Sequence, residues 1–151
     1  MIDLTFNNRV RDRQLPHFFY LKIIAQAAKV LKIKKTLGLS LNLVGASAIQ
    51  ALNRKHRNKN QVTDILSFGL GKLGNKAIME LGDIFICFPV AKKQATIEGI
   101  TLRKELAGLI IHGFLHLLGY DHERSAQARK KMFSLQAKII NKLALELNQT
   151  G

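Results

Sequence analysis

The stretch HGFLHLLGYDH, running from His112 to His122, decides how this chain is read. An offset of four residues places His112 and His116 one turn apart on an α-helix, about 6 Å along its axis and on nearly the same face. Gly119 supplies the left-handed residue that commonly ends a helix. Tyr120 and Asp121 then turn the chain, and His122 can fold back towards the first two rings. Of the five histidines in 151 residues, three fall in this short window. A lone histidine on an apolar helix is ordinarily a core residue bonded to backbone; three at this spacing point to one metal ion. Desolvation by the apolar neighbours disfavours imidazolium and keeps the rings neutral, as ligands must be. Imidazoles without thiolates suit Zn2+, with Ni2+, Co2+ or Mn2+ admitted by the same ligand type. Three protein ligands leave a fourth position open to water, which marks a catalytic rather than a structural zinc.

The spacing is also that of the metzincin protease signature HExxHxxGxxH, with Gly113 standing where the general-base glutamate belongs. Without that carboxylate amide hydrolysis is disfavoured, and the small Gly113 is expected to open room beside the metal for a large substrate. Working outward, the apolar run from Leu106 to Leu118 carries two histidines and two glycines and reads as a buried helix that starts near Thr101. A last helix, from Ser125 to Leu147, directs Met132, Phe133, Leu135, Ile139, Ile140, Leu143 and Leu147 towards a core. Upstream, Leu81 to Phe88 is a strand, Pro89 opens a helix that Gly99 closes, and GLGKLGNK after Phe68 is a loop. Asp64 to Phe68, Leu39 to Val44 and Met1 to Asn8 are strands, the last by its alternation of Ile2, Leu4 and Phe6. A helix after Pro16 ends near Lys32 to Lys35, and Ser47 caps a shorter one from Ala48 to Lys55. The pattern predicts one α/β (α+β) domain over residues 1–151: a small mixed sheet of four strands, about five helices and a metzincin-like metal cleft.

Against 24 Lys and Arg stand 10 Asp and Glu, a net charge of +14. Such a field attracts polyanions, of which RNA is the most abundant in a ribosome-rich cytosol. Basic residues recur at Arg9, Arg11 and Arg13, at Lys29 to Lys35, at Arg54, Lys55, Arg57 and Lys59, and from Arg124 to Lys131. Each cluster alone reads equally well as a solvated face; their sum argues for nucleic acid. Cys87 is the single cysteine, which fits a reducing, cytoplasmic setting. No uninterrupted apolar stretch reaches the roughly 18 residues of a membrane span, and MIDLTFNNRVRDR lacks the pattern of a secretory signal, so no membrane partner is expected.

Taken with the histidine motif, LNRKHRNKNQVTDILSF from Leu52 to Phe68 and LGDIFIC from Leu81 to Cys87 make the chain resemble the YbeY family of bacterial single-domain endoribonucleases. That family carries LNxxYRxKDxPTDVLSF and LGDIxIC in the same order and spacing. His56, Asn60, Val62 and Gly69 depart from its tyrosine, aspartate and two prolines. The resemblance implies zinc on His112, His116 and His122, Arg57 as the functional arginine, and a metal cleft beside the sheet of a mixed α/β fold. It further implies single-strand-directed cleavage in 3′-end maturation of the small-subunit ribosomal RNA and in ribosome quality control, with ribosomal particles or assembly proteins as partners.

By its residues alone Arg57 is one arginine among several, and Arg54, Lys55 and Lys59 are candidate RNA contacts beside it. Asp121 can orient a ligand ring by accepting a hydrogen bond from it, or simply serve the turn. Glu105, seven residues before His112, lies on nearly the same face, whereas His17 and His56 lack partners at ligand spacing. The rival readings are a zinc peptidase or other hydrolase of metzincin-like shape, and a ribosome-binding protein whose zinc is only structural.

Overall fold

A computed structural model describes residues 1–12, 15–70 and 77–144. The elements follow in the order β1 (Ile2–Asn8), α1 (His17–Val30), β2 (Thr36–Val44), α2 (Ala46–Arg57), β3 (Ile65–Gly69), β4 (Ile78–Cys87), α3 (Phe88–Glu98), α4 (Leu102–Leu117) and α5 (Ala126–Lys142). The strands form one sheet in the order β1-β2-β4-β3, in which β1, β2 and β4 run parallel and β3 runs antiparallel to β4. The mixed four-stranded sheet and the five helices are those the pattern predicts. β2 and β4 begin earlier than their apolar runs do, because Leu37 pairs with Ile2 and Thr36 with Ile78. Neighbouring strands recruit residues whose own pattern is silent.

Helix α4 is apolar on almost every side, so it must be covered on almost every side. Leu106, Ile110, Ile111 and Phe114 are fully buried with Ile23 and Ile24 of α1, Leu41 of β2 and Ile84 and Ile86 of β4. Met132 and Ile139 of α5 close the same core. A smaller cluster, Val44, Ile49, Leu66 and Cys87, joins α2 to the sheet. Thr101 caps α4 by accepting from the Lys104 N–H, and Ser125 caps α5 by accepting from the Ala128 N–H. No helix among the described residues is long and apolar enough to cross a membrane.

Two sequence expectations need correction. Helix α2 starts at Ala46 behind Gly45, so Ser47 lies within the helix and makes no cap, and the helix continues to Arg57. Phe133 is 47% exposed and does not belong to the core, although Leu135 and Ile140 pack partly against it and Leu143 is buried. Adjacent Met132 and Phe133 stand about 100° apart around the helix, so only one can point at its centre. Arg13, Leu147 and residues 71–76 of the GLGKLGNK loop lie outside the described residues.

The strand that leads to the site turns on Gly82. It pairs with Gly69 on one side and Leu39 on the other, where a register shift leaves Leu81 as the extra residue of a bulge. Its φ is 134°, and a β-carbon there would lie 2.1 Å from the Phe68 carbonyl oxygen. Gly82→Ala should therefore lower the unfolding free energy by about 1–3 kcal/mol. Urea unfolding reads this directly, and an unchanged midpoint would contradict the requirement for glycine.

Candidate metal centre

His112 and His116 project from one face of α4, and the chain reverses immediately after them. Gly119 takes φ 101°, its N–H donates to the His116 carbonyl at 3.0 Å, and the Tyr120 N–H donates to the Leu115 carbonyl at 3.0 Å. The Asp121 carboxylate then accepts the Glu123 N–H at 2.9 Å, fixing the turn that returns His122. The ring centroids lie 4.7, 5.1 and 5.1 Å apart. One potential ligand atom from each ring lies within 4.8 Å of the other two.

The donor set fits a divalent ion. Two nitrogens each 2.0–2.1 Å from one tetrahedral zinc stand roughly 3.3 Å apart, and His112 Nε2 and His116 Nε2 are 3.1 Å apart. His122 Nδ1 is buried and has no hydrogen-bond partner among the described residues. Burial is the chief reason that both helix imidazoles protonate below their ordinary value of 6.5. For His116 the neighbouring His112 and His122 and the Arg57 charge push the same way, with Asp121 opposing. For His112 the bond to Gln136 opposes, as does Asp64, while His122 adds to the lowering. Neutral rings with a free lone pair are what a metal requires.

Gln136 is a part of the site that the sequence analysis missed. Its Oε1, an acceptor, lies 3.3 Å from His112 Nδ1, so the ring proton resides on Nδ1 and Nε2 keeps its lone pair for the centre. The available signal was a polar residue within the apolar stripe of the last helix. Asp121, in contrast, spends an oxygen on the turn, and no hydrogen bond joins it to a ligand ring among the described residues.

The triad opens into a cavity of about 520 Å3, whose opposite wall is Arg57 at the end of α2 together with β3. Arg57 Nη2 donates to the Ser67 carbonyl at 3.1 Å, and its guanidinium lies 5.7 Å from the centre of the Phe68 ring. The side chain is otherwise exposed to the cleft. Arg54, Lys55 and Lys59 are exposed but outside these walls, and Lys55 lines a separate hollow with Arg9 and Phe85. Glu105 faces another cavity, behind His112, where burial and then Glu98 and Asp64 push its carboxyl up to about 7. His17 stacks on Phe6 and His56 leans on Phe68, each away from the triad.

Gly113 does not open the cleft to substrate, as its small size had suggested. A β-carbon there would lie 2.9 Å from Ile65 Cδ1 and 3.3 Å from Ile84 Cγ2, so the glycine lets α4 press against β3 and β4. A glutamate at this position would meet the sheet before it met the metal.

The chain matches the family model for Endoribonuclease YbeY over residues 5–144. A protein called Endoribonuclease YbeY from Sulfurihydrogenibium sp. (strain YO3AOP1) is 37% identical over 144 residues, covering 95% of this chain and 94% of its own. One from Staphylococcus carnosus (strain TM300) is 42% identical over 128 residues, covering 82% and 83%. Among solved structures, the solution structure of TM1509 from Thermotoga maritima aligns with a TM-score of 0.67 at 27% identity, covering 97% of this chain and 91% of that one.

Two measurements probe the centre. Gln136→Leu should weaken zinc binding by about 10- to 100-fold in a chelator competition, because His112 loses the partner that fixes its tautomer; unchanged affinity would remove Gln136 from the site. In the metal-free protein, His112 and His116 titrate below 6.5 when folded and near it when unfolded. The unfolded chain therefore binds more protons as pH falls through about 6.5, and stability should drop there while staying level above it. Urea midpoints of chelated protein at a pH of about 7.5 and about 5.5 test this; a His112→Gln variant should show a smaller fall.

Proposed function

The chain belongs to the Endoribonuclease YbeY family, and from that premise we propose that this hydrolytic endoribonuclease uses zinc to cleave single-stranded ribosomal RNA. The observation that carries the reading is the convergence of three imidazoles with Arg57 across one open cleft. His112, His116 and His122 hold the ion, which when bound supplies Lewis acidity at a scissile phosphate. Arg57 commits one nitrogen to Ser67 and keeps its other donors for phosphate oxygens, where it offsets charge developing during cleavage. The exposed cations Arg54, Lys55 and Lys59 serve the RNA backbone away from the reacting atoms.

Phosphate contacts position a strand but carry no sequence code. Ribosomal particles or assembly proteins accordingly select the cleavage site, and the activity belongs to 3′-end maturation of the small-subunit RNA and to ribosome quality control in the cytoplasm. A peptidase reading is opposed by Gly113, whose place against Ile65 and Ile84 leaves no space for the protease glutamate. A purely structural metal is opposed by the core, in which α4 is buried by α1, α5 and the sheet without help from the histidines.

Incubation of purified protein with ribosomal RNA in excess zinc tests the reading. His116→Ala should lose both bound metal and cleavage. Arg57→Ala should keep its metal and cleave about 100- to 1,000-fold more slowly. Cleavage by His116→Ala at the wild-type rate would trace the activity to a contaminant. A strong chelator should abolish cleavage while leaving the circular dichroism of a folded protein; unfolding would favour the structural clamp instead.

A further inference from the structure

Phe133 stands out by its surroundings. An exposed phenyl on a helix needs no explanation by itself, but this one lies 6.2 Å, centroid to centroid, from the ring of His122. It is 47% exposed, so part of its surface is open to solvent at the rim of the metal centre. Three residues further along α5, Gln136 reaches His112, so this side of the helix faces the reacting groups. One turn before it, on the same side, come Arg129 and Lys130, both exposed, and Arg124 is exposed in the preceding turn. An aromatic surface, flanked by cations and adjoining a phosphodiester-cleaving centre, is the combination by which proteins hold single-stranded nucleic acid.

We propose that Phe133 is a stacking platform for a nucleobase of the RNA strand beside the scissile phosphate, with Arg129 and Lys130 holding the phosphates that flank it. The inference rests on the RNA reading of the metal cleft. A base in a duplex is paired and stacked on its neighbours, whereas an unpaired base can turn its face to the phenyl ring. The platform therefore favours unpaired strands while tolerating any base, since every base presents a π-face. Its role is to bind and position; it exchanges no proton with the substrate.

The chain contains no tryptophan, so Phe133→Trp installs a single fluorescent reporter at the proposed contact. The full-length, zinc-loaded protein is titrated with a labelled single-stranded hexaribonucleotide and with an abasic strand of equal length and charge. Wild type should prefer the base-bearing strand. Phe133→Leu, which keeps an apolar group against His122 but no π-face, should bind that strand roughly 5- to 100-fold more weakly, bind the abasic strand as wild type does, and retain its zinc. Phe133→Trp should bind like wild type, its fluorescence quenched by the base-bearing strand alone. Equal binding of the two strands by wild type overturns the platform, as does wild-type affinity in Phe133→Leu. Loss of both strands together with zinc also overturns it, because the ring would then only support His122. Cleavage followed in the same samples separates the two readings: base preference without cleavage defeats the nuclease and spares the platform, and cleavage without base preference does the reverse.

Discussion

The burial of α4 is the constraint from which the site follows. A helix this apolar is stable in water only when other elements enclose it, and α1, α5 and the sheet do so around Leu106, Ile110, Ile111 and Phe114. The same enclosure desolvates His112 and His116 and holds them unprotonated. Gly113, pressed against Ile65 and Ile84, brings the ligand helix close enough to the sheet for β3 to become the far wall of the cleft. Core packing and ligand chemistry are thus one arrangement, and damage to the first reaches the second through the distances between rings.

Charge supplies the other half of the selectivity. The cleft sets a divalent-ion site opposite a guanidinium, and two cationic groups facing one another across a cavity call for an anion between them. A phosphodiester answers that demand, whereas a peptide carbonyl does not. Two carboxylates, Asp121 and Glu123, line the same cavity and temper that field beside the triad, whereas Glu105 opens to a different cavity. With 24 basic against 10 acidic residues in the chain, the wider surface extends the same preference.

What could be read from sequence was what local geometry determines. His112, His116 and His122 lie within three turns of chain, so helical periodicity and one glycine bring them together without any knowledge of the fold. Gly113 was misread for the matching reason: periodicity says on which side of a helix a residue lies, but not what lies against it. Gln136 and Arg57 approach the triad only because α5 and α2 pack where they do, and Arg57 emerged through likeness to a family rather than from its own surroundings. Phe133 entered the core list because apolar pattern alone does not distinguish a residue facing the core from one facing the rim of a cleft. The early starts of β2 and β4 come from pairing across the sheet, which no single strand encodes.

The bond between Arg57 and Ser67 has a consequence for what this cleft refuses. β3 is an edge strand, and its outward backbone groups could template an extended polypeptide laid alongside, the way many proteins capture peptides. Arg57 already occupies the Ser67 carbonyl, so a competing chain must first dislodge the guanidinium to add itself to the sheet. The guanidinium thereby covers one acceptor of the exposed edge against an added strand.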